Sequence, residues 1–466
     1  MTRRPFSWLR LLWVVGALLM GDRQLEAATD AELIPFTNNG PTSERINLVV
    51  LAEGYLSTQR ELFIRDARVV ADGILSTSPF KGYAGHFNTY GVFVASQESG
   101  SDHPFRGVLR DTYFNSTYDS FGIQRLVTIP PNNLDPNSAN GQGKVIQLLS
   151  EVLPEYDIVA IVVNDPEYGG SGGPSLVVST HSQSREIAVH ELGHTLAGLG
   201  DEYSSANPGY PDVEEPNTTR TQVRSQIKWN SWIKASTPVP TPENGFVSEV
   251  GLFEGAHYHA TGWFRPKYEC KMKVLGVPFC EVCSEALVLS IYQHLPQPIS
   301  VSPASDAAVP VSIYDQRTFE LNILPGASET IAVSWLLNGV PMGPPAKSTL
   351  LSVPGIGLPF ETNELTALLT ITSPWVRQDP LKHMQSSVQW QVVRDATSPP
   401  RIRVEFVADK LRFSWSAVAT GFVFETSSSA ALATWSSAGA TPTKVGNEFR
   451  VQVSPTGSRA FYRLRR

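Results

Sequence analysis

Residues 46 to 55, "INLVVLAEGY", form a short and almost unbroken apolar run, rich in β-branched residues and ending at Gly54. That pattern predicts a strand buried on both faces. Immediately afterwards, over 58 to 75, Leu62, Phe63, Ala67, Val70 and Ile74 recur at helical spacing. A second continuous apolar run, "YDIVAIVVND" at 156 to 165, predicts another buried strand and leads into the glycine-rich "YGGSGG" at 168 to 173. The stretch "EIAVHELGHTLAGLGDEY", residues 186 to 203, carries Ile187, Val189, Leu192, Leu196 and Leu199, the text of a helix apolar on most of its faces. Strands and helices alternate up to Leu295, so this part is expected to be α/β.

After Pro296 the helical period disappears. "TIAVSWLLNGVPM" holds an Asn338-Gly339 turn signal between strand-like runs, and "TALLTIT" and "SSVQWQVV" follow. An immunoglobulin-like sandwich of about 100 residues has this appearance. Beyond the Pro-rich joint "ATSPPR", short strand patterns such as "RIRVEF", "KLRFSW", "GFVFET" and "FRVQV" predict a last, small β module. The expected division is therefore 31–295 (α/β), 296–397 (sandwich) and 398–466 (small β module). Because both joints are Pro-rich, a chain ending near Pro296 is expected to fold by itself.

Composition is ordinary for a globular chain of 466 residues, with 41% hydrophobic and 17% charged positions. The N-terminus stands apart. Arg3, Arg4 and Arg10 precede an apolar run from Leu11 to Met20, then polar residues and the small pair Ala27-Ala28, the layout of a secretory signal peptide over residues 1–27. Ten apolar residues are too few to span a bilayer, so the mature chain is expected to be secreted or periplasmic with no transmembrane segment. Loss of that leader takes away four Arg and two acidic residues and moves the formal charge from −7 to −9. Such an acidic balance argues against a nucleic-acid partner.

The chemistry concentrates in the 186 to 203 stretch. His190 and His194, four apart on a helix, project from one face and can share a metal ion. Glu191 lies one position round, placed to take a proton from water beside the metal, and is the candidate general base. Two His and a Glu in so apolar a helix are costly to bury without a metal. A third ligand is needed. Glu214 and Glu215 lie in the Pro- and Gly-rich "NPGYPDVEEPN", which does not read as a helix. Gly198 and Gly200 instead suggest that the helix ends after His194 and the chain bends back, presenting Asp201 or Glu202. The pattern HExxHxxGxxH delivers its third ligand through such a bend, ten residues after the first His. Position 200 here is Gly, so this chain departs from that pattern by one residue and favours the nearer carboxylate.

"HELGHTLAGLGDEY" resembles the zinc-site signature of the bacterial IgA-peptidase family of metzincin-like secreted endopeptidases. "INLVVLAEGY", "HFNTYGVFVASQESGSDHP", "YGGSGG", "EEPNTT", "IKWNSWI" and "VGLFEGAHYHATGWFRPKYECKM" are similar to that family too, in order, from about residue 36 to 290. The resemblance implies a metzincin-like α/β domain, zinc held by His190, His194 and Asp201, Glu191 as base, and Met272 in a supporting turn beneath the metal. It also implies an edge strand before the helix that pairs with an extended protein or peptide substrate. Gly169 and Gly170 are the candidates for that backbone approach. Tyr258, upstream of the Met, is the first choice for a donor to the developing oxyanion.

Three residues remain. Cys270, Cys280 and Cys283 contain a CxxC that suggests metal, but only three thiols are present. In an oxidising compartment a disulfide from Cys270, stapling the Met-bearing loop, is the favoured expectation. The C-terminal modules carry no ligand-spaced cluster and are expected to contact a cell surface or glycan. Two rival functions stand beside the endopeptidase: a binding protein with a vestigial peptidase domain, and a zinc amidase acting on cell-wall peptide.

Overall fold

The apolar run at 46 to 55 becomes a central strand, all eight of its residues buried. The computed structural model describes residues 30–135, 141–207, 210–429, 434–454 and 459–466, so the expected signal peptide lies outside the described residues. Among them no helix is long and apolar enough to cross a membrane.

The first half is built on one six-stranded sheet of β1 (Glu32–Thr37), β2 (Ile46–Glu53), β3 (Phe87–Phe93), β4 (Ile158–Val163), β5 (Gly170–Ser171) and β6 (Leu176–Ser179). Their spatial order is β1-β3-β2-β4-β6-β5. The four inner strands are parallel, while β1 and the two-residue β5 run antiparallel at the edges. Strands buried on both faces need cover on both, which explains the absence of polar alternation in β2 and β4. On one face pack α1 (Arg60–Leu75) and α3 (Ser184–Ala197), and α4 (Glu281–His294) packs on α3. On the other, α2 (Gln142–Val152) covers a second cluster around Val49, Leu51, Ile161 and Val163. A hairpin of β7 (Phe253–Ala256) and β8 (His259–Arg265) lies between α3 and α4 in the chain.

The second half is all β. Two sheets, one of five strands and one of three, carry residues 300 to 395. Their core includes Trp335 and Trp390, stacked at 5.9 Å. The Asn338-Gly339 signal does make a tight hairpin, with φ of 51° and 79° at the two residues. Seven further strands between Arg403 and Arg465 form two small sheets around Phe413, Trp415 and Phe424.

The sandwich does not stand off from the α/β part. Glu329 accepts hydrogen bonds from the hydroxyls of Tyr83 and Tyr292, both buried. Glu285 on α4 accepts from the backbone N–H groups of Arg377 (2.5 Å) and Gln378 (2.9 Å) and from the Trp232 indole (2.8 Å). The Arg377 guanidinium lies 4.1 Å over the Trp232 ring. One continuous apolar core runs through both parts. This reverses the outcome expected for a chain ending near Pro296, because the joint is Pro-rich yet the surfaces beside it are buried. Truncation at residue 295 should give aggregation, or a loss exceeding about 3 kcal/mol from re-exposed aromatics. Truncation near residue 397 removes a part whose core borrows only Tyr314 and Ile313 from the sandwich, and should lower the thermal transition of the rest far less than truncation at 295. Circular-dichroism melts of the two truncated chains decide it. A cooperative melt from the 295 chain near the full-length temperature would refute the shared core.

Candidate active-site cleft

α3 is apolar around most of its circumference because it lies between the sheet and α4, with Ile187, Ala188, Val189, Leu192 and Leu196 buried. It stops at Gly198, whose left-handed φ of 59° costs an L side chain about 1–2 kcal/mol. There the Gly198 N–H donates to the His194 carbonyl (3.0 Å) and the Leu199 N–H to the Gly193 carbonyl (3.1 Å), turning the chain back under the helix. Gly193 meets Met272 closely: a Cβ there would stand 2.8 Å from the Met272 Sδ. The Met-bearing loop therefore sits directly against the helix.

That turn brings Asp201 onto the two imidazoles. Its Oδ1 lies 3.1 Å from His190 Nε2 and 3.4 Å from His194 Nε2, and the two Nε2 atoms are 3.3 Å apart. Three donors around one tetrahedral zinc at roughly 2.0–2.1 Å would be spaced about 3.3 Å apart, so the triangle has the right size for such an ion. Both Nδ1 atoms are committed elsewhere, His190 to the Lys271 carbonyl at 2.9 Å and His194 to the Leu199 carbonyl at 2.6 Å. A carbonyl only accepts, so each Nδ1 carries hydrogen and each Nε2 presents its lone pair inward. Asp201 Oδ1 is buried with no hydrogen-bond partner. The residues fit a divalent metal.

The charges respond accordingly. Burial alone would drive the Asp201 carboxyl up, but the two imidazoles hold it well below the usual carboxylate range. Without an ion, burial pulls His194 down while Asp201 and Glu191 push it up to about 9, so the acidic neighbours call for a positive charge that a metal ion would supply in place of the proton on Nε2. Glu191 is raised by desolvation, opposed by the two His and reinforced by Asp201. Its carboxylate and the two imidazoles lie within 4.8 Å of one another.

The other sequence candidates fall into place unevenly. Glu202 points away from the imidazoles, to Asn217 and Cys283. Glu214 pairs with Lys228, and Glu215 with the buried His257. Tyr258, at a turn residue with φ of 58°, does reach the site, but its hydroxyl donates to Asp201 Oδ2. Gly170 lines the cleft beside Ile187 and Glu191, whereas Gly169 packs on Tyr118. The outer side of β5 is not bare, since Gly170 also bridges to Leu126 and the Ser171 hydroxyl donates to the Val127 carbonyl. Backbone free for a substrate thus starts beyond that bridge. The cleft, about 920 Å³, has walls formed by Ile123 to Leu126 and by Tyr203, Ser205, Asn207 and Tyr210. Sequence reasoning missed those walls and the Lys271 carbonyl, none of which carries a motif.

Among curated proteins none matches this chain. Among solved structures, a chimeric titin Z1Z2 functionalized with an exogenous decorin peptide is 15% identical, covers 33% of this chain and 81% of that one, and has a TM-score of 0.16. A titin fragment of three Ig domains is 12% identical, with coverages of 32% and 53% and a TM-score of 0.14. Similarity at that level says nothing about fold or function. The profile described as IgA Peptidase M64 matches residues 34–247 and 243–291, more than half of the chain and every residue of the cleft, and the chain belongs to that peptidase family.

Proposed function

We propose that this peptidase is an exported, zinc-dependent endopeptidase. The observation that carries the reading is the triangle of His190 Nε2, His194 Nε2 and Asp201 Oδ1, with both Nδ1 atoms tied to carbonyls and Glu191 alongside. Those three residues would hold the ion. When bound, zinc supplies a Lewis acid that acidifies water and polarises a carbonyl.

The chain's own residues do the rest. Glu191 takes the proton of the attacking water and passes it to the leaving amine. Its desolvated setting raises its basicity toward what that exchange needs. Tyr258 keeps Asp201 in position through Oδ2. The open cleft suits an extended chain passing through rather than a terminus held in a closed pocket. Residues 31–295 would form the metzincin-like catalytic domain, 296–397 an immunoglobulin-like module and 398–466 a small module for contact with a surface or glycan.

Digestion of a mixed peptide library tests the activity. Internal cleavages that stop with a chelator and return with added zinc are expected. Cleavage that survives exhaustive chelation would defeat the zinc reading, and release of terminal residues alone would defeat the endopeptidase. Tyr258→Phe separates two roles. As a positioning residue it should weaken metal affinity about 10- to 100-fold and spare kcat at saturating zinc. A kcat loss of about 100-fold or more with metal retained would instead make it the oxyanion donor.

A further inference from the structure

Glu202, next to Asp201, turns the opposite way into a closed chamber with Cys270, Cys280 and Cys283. Glu202, Cys270 and Cys283 are 0% exposed and Cys280 5%. The four ligand atoms lie within 4.8 Å of one another. We propose that Cys270, Cys280, Cys283 and Glu202 hold a second zinc ion, structural rather than catalytic, which fastens the Asp201 bend and the Met272 loop to α4.

Distance is the first argument. Cys270 Sγ and Cys283 Sγ are 3.6 Å apart, as are Cys283 Sγ and Glu202 Oε1. Ligands around a tetrahedral zinc, with Zn–S of about 2.3 Å and Zn–O of about 2.0 Å, would be separated by about 3.8 Å (S to S) and 3.5 Å (S to O). A disulfide needs about 2.05 Å and is not formed; all three cysteines are free. A disulfide would also do nothing for Glu202 Oε2, which is buried with no partner.

The carboxylate is the second argument. Glu202 Oε1 accepts from Asn217 (2.9 Å), but Oε2 is buried with no partner. A buried carboxyl oxygen with no partner is costly, and a cation placed against Oε2 would complete it. Thiolates with one carboxylate form a soft set suited to zinc rather than to magnesium or calcium. Negative charge on the thiolates is met locally: the Cys280 N–H donates to Cys270 Sγ (3.2 Å), and Cys280 and Cys283 sit at the N-terminal end of α4. Binding releases the thiol protons to solvent, and no electrons move.

Connectivity gives the site its consequence. The Glu202 N–H donates to the Met272 carbonyl at 2.9 Å, and the neighbouring Lys271 carbonyl holds His190 Nδ1. Thus the second ion would brace both the loop that orients His190 and the bend that delivers Asp201.

The test uses the full chain loaded with zinc, then with cobalt, and a His190→Ala/His194→Ala variant that lacks the catalytic imidazoles. Two zinc ions per wild-type chain and one in the variant are expected. Cobalt in the variant should show thiolate-to-metal charge-transfer absorption, absent in Cys280→Ser. Thiol titration of denatured, chelated wild type should count three free thiols. A variant without metal or charge-transfer band, or a wild type titrating one thiol, overturns the proposal whether or not Cys280→Ser folds. If the catalytic assignment alone is wrong, the double variant still binds cobalt through sulfur, so the two failures are distinct. Cys280→Ser should in addition weaken zinc at His190 and His194 about 10- to 100-fold, the scale for disturbing a ligand's support.

Discussion

Glu191→Gln should leave the chain folded and its zinc in place while peptide cleavage falls about 100-fold or more, the scale expected for removing a general base. The amide has nearly the volume of the carboxylate, so the packing of α3, through Ile187 and residue 191, against Gly170 is kept. What disappears is a group able to accept a proton. Glu191 makes no hydrogen bond that would be broken among the described residues, and its carboxylate lies beside the imidazoles rather than being pinned by them. Metal analysis and kcat on one peptide substrate check both halves of the statement. If metal leaves together with activity, Glu191 is a ligand and the base lies elsewhere.

The second large effect is expected at Asp201. Replacing it with Ala removes the oxygen that sits 3.1 Å and 3.4 Å from the two Nε2 atoms and also the acceptor of the Tyr258 hydroxyl. Two imidazoles on one helix turn cannot complete a three-ligand catalytic site. Affinity for the active-site ion should fall by more than the about 10- to 100-fold that follows loss of a supporting contact, and cleavage should become undetectable at ordinary zinc concentrations. Glu214→Ala, which breaks contacts with Lys228, Thr219 and the Arg220 N–H but none with the imidazoles, should keep both metal and activity. Retention of active-site zinc by Asp201→Ala, with loss in Glu214→Ala, would hand the third position to the later carboxylate.

By itself the sequence determined what depends on near neighbours. The apolar run at 46 to 55 had to be a doubly covered strand, the 3.6 period at 58 to 75 a helix, and Asn338-Gly339 a tight turn, because side-chain period and turn chemistry act over a few residues. The pair His190 and His194 was legible for the same reason, and the glycines after it narrowed the third ligand to Asp201 or Glu202. The one-residue departure from the HExxHxxGxxH spacing already favoured Asp201, but the physical reason for the two carboxylates parting is tertiary. Asp201 faces the imidazoles because the Gly198 turn sets its direction, and Glu202 faces the thiols because Met272 and Asn217, 70 and 15 residues away, hold its backbone and side chain. The docking of the sandwich through Glu329, Tyr83 and Tyr292 was equally invisible, since a polar contact between residues 246 apart leaves no periodic trace in either segment. Local pattern reports which face of an element is apolar, whereas the partner of a buried polar atom is set by whatever the folded chain brings within about 3 Å of it.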